Sequence, residues 1–297
     1  MRVGVQHLDE IRQRGYTVMT GFLGDLELAA AQACLWDEFP RPDDYFAEPA
    51  AHPRYARSQF AGLRSYPTMA WDLNRLAFHP DLVDLAERYL GTDDLQLYKG
   101  EVWAKYAGAI DYDQPHHRDF ANHSLVVPRT DGVGTQLTSF ILLSEVTELD
   151  GPTAVVPIEC SADIAMVPTH TEPNWPFSVP RGTFGDDEVL VTAPAGSLFV
   201  YRTDVFHRGT NFGAPGRSRF ALLADFQVRG PAWAGKMTWP NEAQHPGLIE
   251  VIERATVRER DLFGFPRPGD PYWNEQTLHD VQCRYPNMDM APYTERS

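Results

Sequence analysis

The amino-acid sequence predicts an α+β protein with a mainly β core, an antiparallel sandwich or barrel preceded by helices. As far as Gly91 the apolar residues recur at helical spacing, and beyond it they fall into short strands separated by turns. Helices first and strands after is the order expected of a segregated α+β architecture. A length of 297 residues fits one elaborated barrel better than two domains. The expected organisation is one domain over 1–297: a mainly helical region at 1–92, a β core at 93–230 with a lid insertion at about 158–187, and a C-terminal extension at 231–297.

Taken in order, His7 to Arg14 reads as a short amphipathic helix, and Gly15 to Met19 as a strand closed by Thr20-Gly21. Asp25 opens an Ala-rich helix that runs from Leu26 to Phe39. Residues 40–68 are rich in Pro, Asp and Arg and read as loop. His79-Pro80 to Gly91 has Pro in the first turn and Gly at the end, the punctuation of a helix. Strands are then expected at 95–106, 135–146, 153–156, 188–192, 197–202 and 219–228, with a turn at Asp150-Gly151. A helix is expected at 247–264, with loop after it.

Composition excludes several functions. Lys+Arg number 26 against 41 Asp+Glu, a formal net charge of -15, and no basic cluster offers a footprint for nucleic acid. No apolar run has membrane-spanning length. The first ten residues lack the apolar core of a signal peptide. Cys34, Cys160 and Cys283 are scattered, odd in number and without a CxxC, so neither a disulfide framework nor a zinc ribbon is expected. A reducing cytoplasm is the expected setting.

Chemistry is carried by histidine and its spacing. Imidazole and carboxylate two residues apart on extended backbone point to one side. Two such ligands and a distant His form the 2-His-1-carboxylate site of non-heme Fe(II) oxygenases. With 10 His in the chain, chance gives roughly one HxD, and three occur: His7-Leu8-Asp9, His79-Pro80-Asp81 and His117-Arg118-Asp119. The first two open helices, where an acidic residue suits the helix dipole, and are read as structural. The third follows a strand and Gln114-Pro115, in the strand-rich region. His207 lies beyond a strand and turn, and Arg219 opens the apolar strand that follows. Burying Arg219 is costly unless a carboxylate pairs with it. A cosubstrate such as 2-oxoglutarate supplies one, and the guanidinium fork suits bidentate binding. The plainer alternative is an arginine at a strand end reaching solvent.

These residues resemble the phytanoyl-CoA dioxygenase-like family of Fe(II)/2-oxoglutarate-dependent oxygenases. The His117-x-Asp119, His207, Arg219 order is joined by the helix from His79-Pro80 to Gly91, the turn Glu148 to Pro157, and Ala195-Gly196-Ser197-Leu198-Phe199 before the distal His. The resemblance covers roughly residues 10–230. It implies a double-stranded β-helix (a jelly-roll, cupin-like barrel) with flanking N-terminal helices. It implies Fe(II) held by His117, Asp119 and His207, and 2-oxoglutarate held by Arg219, with Arg217 as the alternative. By family position Gln136 and Thr138, with Thr210, are expected to contact the cosubstrate. The implied reaction uses O2, releases succinate and CO2, and oxidises a small organic molecule, a secondary metabolite or lipid-like acid, with hydroxylation as the default. Asp119 is the carboxylate that halogenating relatives replace, so halogenation is disfavoured. Where the family often has Gly-Ser-His after Val-Val-Pro, Ile158-Glu159-Cys160-Ser161 stands here.

Two other classes are weighed against this: a non-catalytic metal- or ligand-binding barrel, and a cupin-type isomerase or thiol dioxygenase without a keto acid. Other features are read as structural. Lys99, Glu101, Trp103 and Lys105 alternate along one strand and either line a pocket or, the favoured reading, form a half-exposed face with lysines reaching solvent. Phe140 is read as core at least as readily as site. His116 is expected to point away from His117, and His123 to be structural or substrate-facing. Gly230 to Met237 has P-loop Gly and Lys spacing but no Ser/Thr after the Lys, and reads as loop. Asn122-His123-Ser124 fits a glycosylation sequon without a secretion signal.

Overall fold

A computed structural model describes residues 3–109, 112–123, 128, 134–168, 175, 178–230, 239 and 245–294. Residues 231–237 of the P-loop-like stretch and Ser124 of the sequon lie outside the described residues. Among the described residues nine strands form: β1 (Tyr16–Met19), β2 (Leu63–Ser65), β3 (Leu95–Tyr106), β4 (Gln136–Leu142), β5 (Thr153–Val155), β6 (Val189–Leu190), β7 (Leu198–Tyr201), β8 (His207–Gly209) and β9 (Ser218–Val228). They make two antiparallel sheets, one of order β1-β7-β4-β9-β3-β2 and a smaller one of order β6-β5-β8.

The two faces of the large sheet do different jobs, because strand side chains alternate. Its outer face carries Leu97, Val102, Leu137, Ile141, Leu222 and Phe226, which share one apolar cluster with Leu35, Phe78, Leu82 and Leu85 of the N-terminal helices. Its inner face carries Phe140, Leu142 and Leu223, packed with Val155 and Val191 of the small-sheet side. β4 lies between β7 and β9 and is buried at every residue. The expected α+β core therefore forms, with helices covering one side and a space between the sheets on the other.

The helices Val5–Arg14, Asp25–Glu38 and Pro80–Leu90 fall where expected. His79 is the N-cap of the last, its Nδ1 accepting from the Asp81 N–H at 3.2 Å. Three regions differ from expectation. The 40–68 segment holds a helix at Pro42–Ala47 and the edge strand β2. The helix expected at 247–264 is two, Pro246–Arg254 and Val257–Leu262. A capping box breaks it, with the Thr256 hydroxyl accepting from the Glu259 N–H and Glu259 accepting from the Thr256 N–H. The tail is not all loop, because Asn274 caps a helix at Glu275–Arg284.

The C-terminal helices pack on the barrel through Leu248, Val251, Ile252 and Leu262, and one buried carboxylate adds a polar tie. Asp261 accepts from Arg229 at the end of the β9 side, from Arg258 and from Arg267, all within 2.9 Å. Removing it takes away the carboxylate that the three guanidinium groups share, leaving Arg229 and Arg267 with Asp94 and Arg258 with Glu87. Asp261→Ala is expected to lower stability by about 2 kcal/mol, reduced from the fully buried case because the arginines are partly solvated. Urea unfolding checks the loss, and earlier proteolysis within 245–294 checks its location.

Candidate metal centre

The site is assembled by strand pairing. Residues 114–120 run antiparallel to 203–209. Gln114 N–H donates to the Gly209 carbonyl at 3.0 Å, His117 and His207 exchange backbone hydrogen bonds at 3.0 Å each way, and Phe120 N–H donates to Thr203 at 3.2 Å. β8 pairs on its other edge with β5, with Val155 opposite His207. His117 and His207 thus face each other on neighbouring strands, their ring centroids 4.5 Å apart.

The ring orientations are set by the backbone. His117 Nδ1 donates to the Pro115 carbonyl at 2.9 Å, and His207 Nδ1 donates to the Val205 carbonyl at 3.2 Å. Both Nε2 atoms are left as lone-pair donors, lying 3.8 and 3.5 Å from the Asp119 carboxylate. One ligand atom from each of the three residues falls within 4.8 Å of the others. Backbone-anchored imidazoles of fixed tautomer and one carboxylate are the donor set that suits a first-row divalent ion. The three residues fit iron.

Electrostatics agree with that fit. Burial, reinforced by His207, pushes the His117 imidazole down to about 4, so it stays neutral and able to ligate. Burial alone would raise the Asp119 carboxyl. The imidazoles of His207, His123 and His117 and the Lys99 ammonium outweigh it and hold Asp119 well below the usual carboxylate range. The Tyr201 hydroxyl donates to Asp119 Oδ2 at 2.7 Å, which orients the carboxylate.

The three residues line a cavity of about 280 Å³ between the sheets. Its other walls come from Lys99, Glu101 and Trp103 of β3, Phe140 of β4, Tyr201 of β7, and Arg219 and Leu223 of β9. Phe60 from the 40–68 segment and Trp175, within the 158–187 stretch, also reach it. Arg219 is buried in this wall, its Nη1 donating to the Gly151 carbonyl and its guanidinium 5.5 Å from the Trp103 ring. Lys105 stands opposite Arg219 in register and is also buried. Arg217, by contrast, is 40% exposed and pairs with Asp150 at 3.5 Å.

The remaining expected residues are placed as follows. Gln136 donates to the His123 carbonyl at 2.7 Å, Thr138 is fully buried on β4 opposite Tyr201, and the Thr210 hydroxyl donates to the Pro152 carbonyl at 2.7 Å. None of these three lines the cavity, whereas Phe140 and His123 do. His123 also pairs with the Tyr98 hydroxyl at 2.7 Å. His116 lies on the other side of the segment, 2.9 Å from Glu188. The face expected to be half-exposed along β3 is instead cavity wall at Lys99, Glu101 and Trp103, because Thr153, Trp175 and His207 lie across the cavity from it. Sequence reasoning missed Tyr201, whose only signal was a polar-tipped aromatic at the end of the strand before His207.

Fold and donor set together define a β-barrel with a facial metal site. The family model for phytanoyl-CoA dioxygenase (PhyH) matches residues 11–219, which include all three residues and Arg219. The chain belongs to the phytanoyl-CoA dioxygenase family of non-heme iron, 2-oxoglutarate-dependent oxygenases. Solved structures similar to it include the epimerase SnoN in complex with Fe3+, alpha ketoglutarate and nogalamycin RO, with a TM-score of 0.52 and 22% identity over 75% of this chain and 82% of that one. Another is the non-heme alpha ketoglutarate dependent carbocyclase SnoK from nogalamycin biosynthesis, with a TM-score of 0.53 and 16% identity over 82% and 92%. These likenesses are of fold, and they bear out the expected jelly-roll core. No curated protein gives a significant sequence match.

Two outcomes follow for this site. Tyr201→Phe removes the donor to Asp119 and is expected to weaken Fe(II) or Co(II) binding by about tenfold, measured by metal titration. The metal-free protein should also lose stability as pH falls from 6.5 towards 4. His116 and His117 both have their imidazoles pushed down to about 4, chiefly by burial, so the folded state resists their protonation. Their stabilisation is present above the unfolded value and disappears as pH drops through the folded one. Asp225, raised to about 6 by burial, acts in the opposite sense as one group against two. A thermal midpoint that is flat or rising over that descent would contradict the assignment.

Proposed function

We propose that the protein is an Fe(II)- and 2-oxoglutarate-dependent dioxygenase, a single oxygenase domain that hydroxylates a small organic molecule. The observation that carries this is the convergence of His117 Nε2, the Asp119 carboxylate and His207 Nε2 on one side of a cavity that also holds the buried Arg219. In this reading the three residues hold iron on one face and leave the opposite face open. When bound, iron with its chelated keto acid activates oxygen and couples decarboxylation to succinate and CO2 with oxidation of the substrate.

The chain's own residues do the positioning. Arg219 pairs with the far carboxylate of the keto acid, and Lys105 beside it strengthens the positive field at that end. The indole N–H of Trp103, buried beside Arg219, meets no acceptor among the described residues, which suits an anionic ligand there. Backbone anchoring keeps His117 and His207 in the ligating tautomer, and Tyr201 keeps Asp119 from rotating. Trp103, Phe140 and Trp175 supply aromatic wall to the same cavity. Neighbours named as an epimerase and a carbocyclase share this fold. The outcome therefore depends on how the substrate is held, and hydroxylation is the outcome proposed here. Three free cysteines fit a reducing, cytoplasmic setting.

Fe(II)-dependent conversion of 2-oxoglutarate to succinate tests the proposal. His117→Ala is expected to lower turnover by at least about a hundredfold. Arg219→Ala is expected to raise the KM for 2-oxoglutarate by about tenfold or more with a smaller effect on kcat, because it removes ground-state binding of one carboxylate. Unchanged turnover in both variants would overturn the assignment.

A further inference from the structure

The wall formed by β3 is polarised along its length. At one end Lys105 lies beside Arg219, and Trp103 separates them from Glu101 and Lys99. Lys99 Nζ lies 3.2 Å from Glu101 Oε2 and 3.2 Å from Asp225 Oδ2. Asp225, beside Lys99 on the same face of the sheet, is fully buried and does not line the cavity, while Glu101 lines it and retains 20% exposure. One ammonium is therefore shared by two carboxylates. The three groups carry one negative charge in excess, and of the two carboxylates Glu101 is the one that lines the cavity. Lys99 also fixes that carboxylate's position, as a buried, well-paired cation does. Phe60 stacks on Trp103 at 5.8 Å with an interplanar angle of 22°, so a flat apolar surface adjoins Glu101. Trp175 packs against the His117 ring at 4.9 Å in the same cavity.

Resting on the oxygenase reading above, we infer that Glu101 is the specificity-determining acceptor for the substrate. The substrate class is a flat, aromatic-ringed molecule bearing a neutral or cationic hydrogen-bond donor, a hydroxyl or nitrogen cation, rather than a carboxylate. The keto acid's negative charge belongs at the Arg219 end. A second carboxylate near Glu101 would meet like charge in a low-dielectric space. A donor there completes the acceptor that Lys99 leaves available, while the ring covers Phe60 and Trp103.

Three naphthalene probes test this on the anaerobic Fe(II) protein with 2-oxoglutarate: 1-naphthylmethylguanidinium, 1-naphthylmethanol and 1-naphthoate. Binding is followed by quenching of tryptophan fluorescence. The guanidinium probe is expected to bind about tenfold or more tightly than the naphthoate, with the alcohol between them. Glu101→Gln should abolish the preference for the cation, and Phe60→Ala should weaken all three probes alike. Naphthoate binding as tightly as the guanidinium probe, an unchanged preference in Glu101→Gln, or no saturable binding by any probe overturns the inference. The visible charge-transfer absorption formed when 2-oxoglutarate chelates Fe(II) is recorded first in each protein. Its absence in the wild type sinks the oxygenase reading and this inference with it. Its presence with failure of the probes sinks the substrate inference alone.

Discussion

The backbones of His117 and His207 donate to each other's carbonyls at 3.0 Å, and this reciprocal pair sets the separation of the two imidazoles. Side chains directly opposite on antiparallel strands are close enough to share a ligand. The HxD spacing then brings Asp119 back to the same side. The remaining anchors only refine this geometry. Pro115 and Val205 supply carbonyls to the rings from two residues earlier in each segment, so each histidine is oriented by its own strand. The candidate metal site is thus a property of sheet register. A slip of one residue would send His207 to the other face.

Burying so many ionisable groups between two sheets is costly unless opposite charges are apportioned. The large sheet does this along β3 and β9. Lys99 answers Asp225 and Glu101, and the two carboxylates in turn hold its ammonium above its ordinary range despite burial. Further along the same pair of strands, Lys105 and Arg219 stand side by side in register. Two adjacent buried cations at one end and an excess carboxylate at the other give the cavity a direction. Under the proposed function, that direction would let a dianionic keto acid and an organic substrate be told apart by charge.

Much of this was legible in the sequence, for identifiable reasons. The 95–106 strand was bounded correctly because Gly91 and the turn after it punctuate a long alternating run. His117, Asp119 and His207 were recoverable because ligand spacing is a local property of extended backbone. Other residues depended on long-range pairing. β2 is three residues long and sits in a Pro-rich stretch, and it exists because the Leu63–Ser65 backbone finds an open edge on β3. Lys99, Glu101 and Trp103 are cavity wall rather than a half-exposed face because Thr153, Trp175 and His207, distant in sequence, lie across from them. Tyr201 and Trp175 carried no spacing signal, since each reaches the site from a segment far from the HxD. Arg219 and Arg217 share a strand parity, and only the burial of β9 against β3 and the exposure of the strand's entry distinguish them.

The residue between the two ligands of the HxD shows how the same alternation is used twice. Pointing His117 and Asp119 into the cavity turns Arg118 to the opposite side. There its Nε donates to the Asp204 carbonyl at 2.8 Å, and Nη1 donates to Ala165 and Met166 at 2.7 and 3.0 Å. Its guanidinium lies 4.0 Å from the Phe206 ring. Burial pulls it down to about 10, still well above neutrality, so it remains a cation whose charge is met by carbonyl dipoles. Asp204 and Phe206 flank the turn into His207, and Ala165 and Met166 belong to the insertion. One side chain therefore ties the two ligand segments to the insertion that delivers Trp175. Displacing that insertion would strain the Arg118 backbone, and with it the ligands on either side. The x of this HxD is a structural bolt that ties the backbone at 165–166 and at Asp204 to the segment carrying His117 and Asp119.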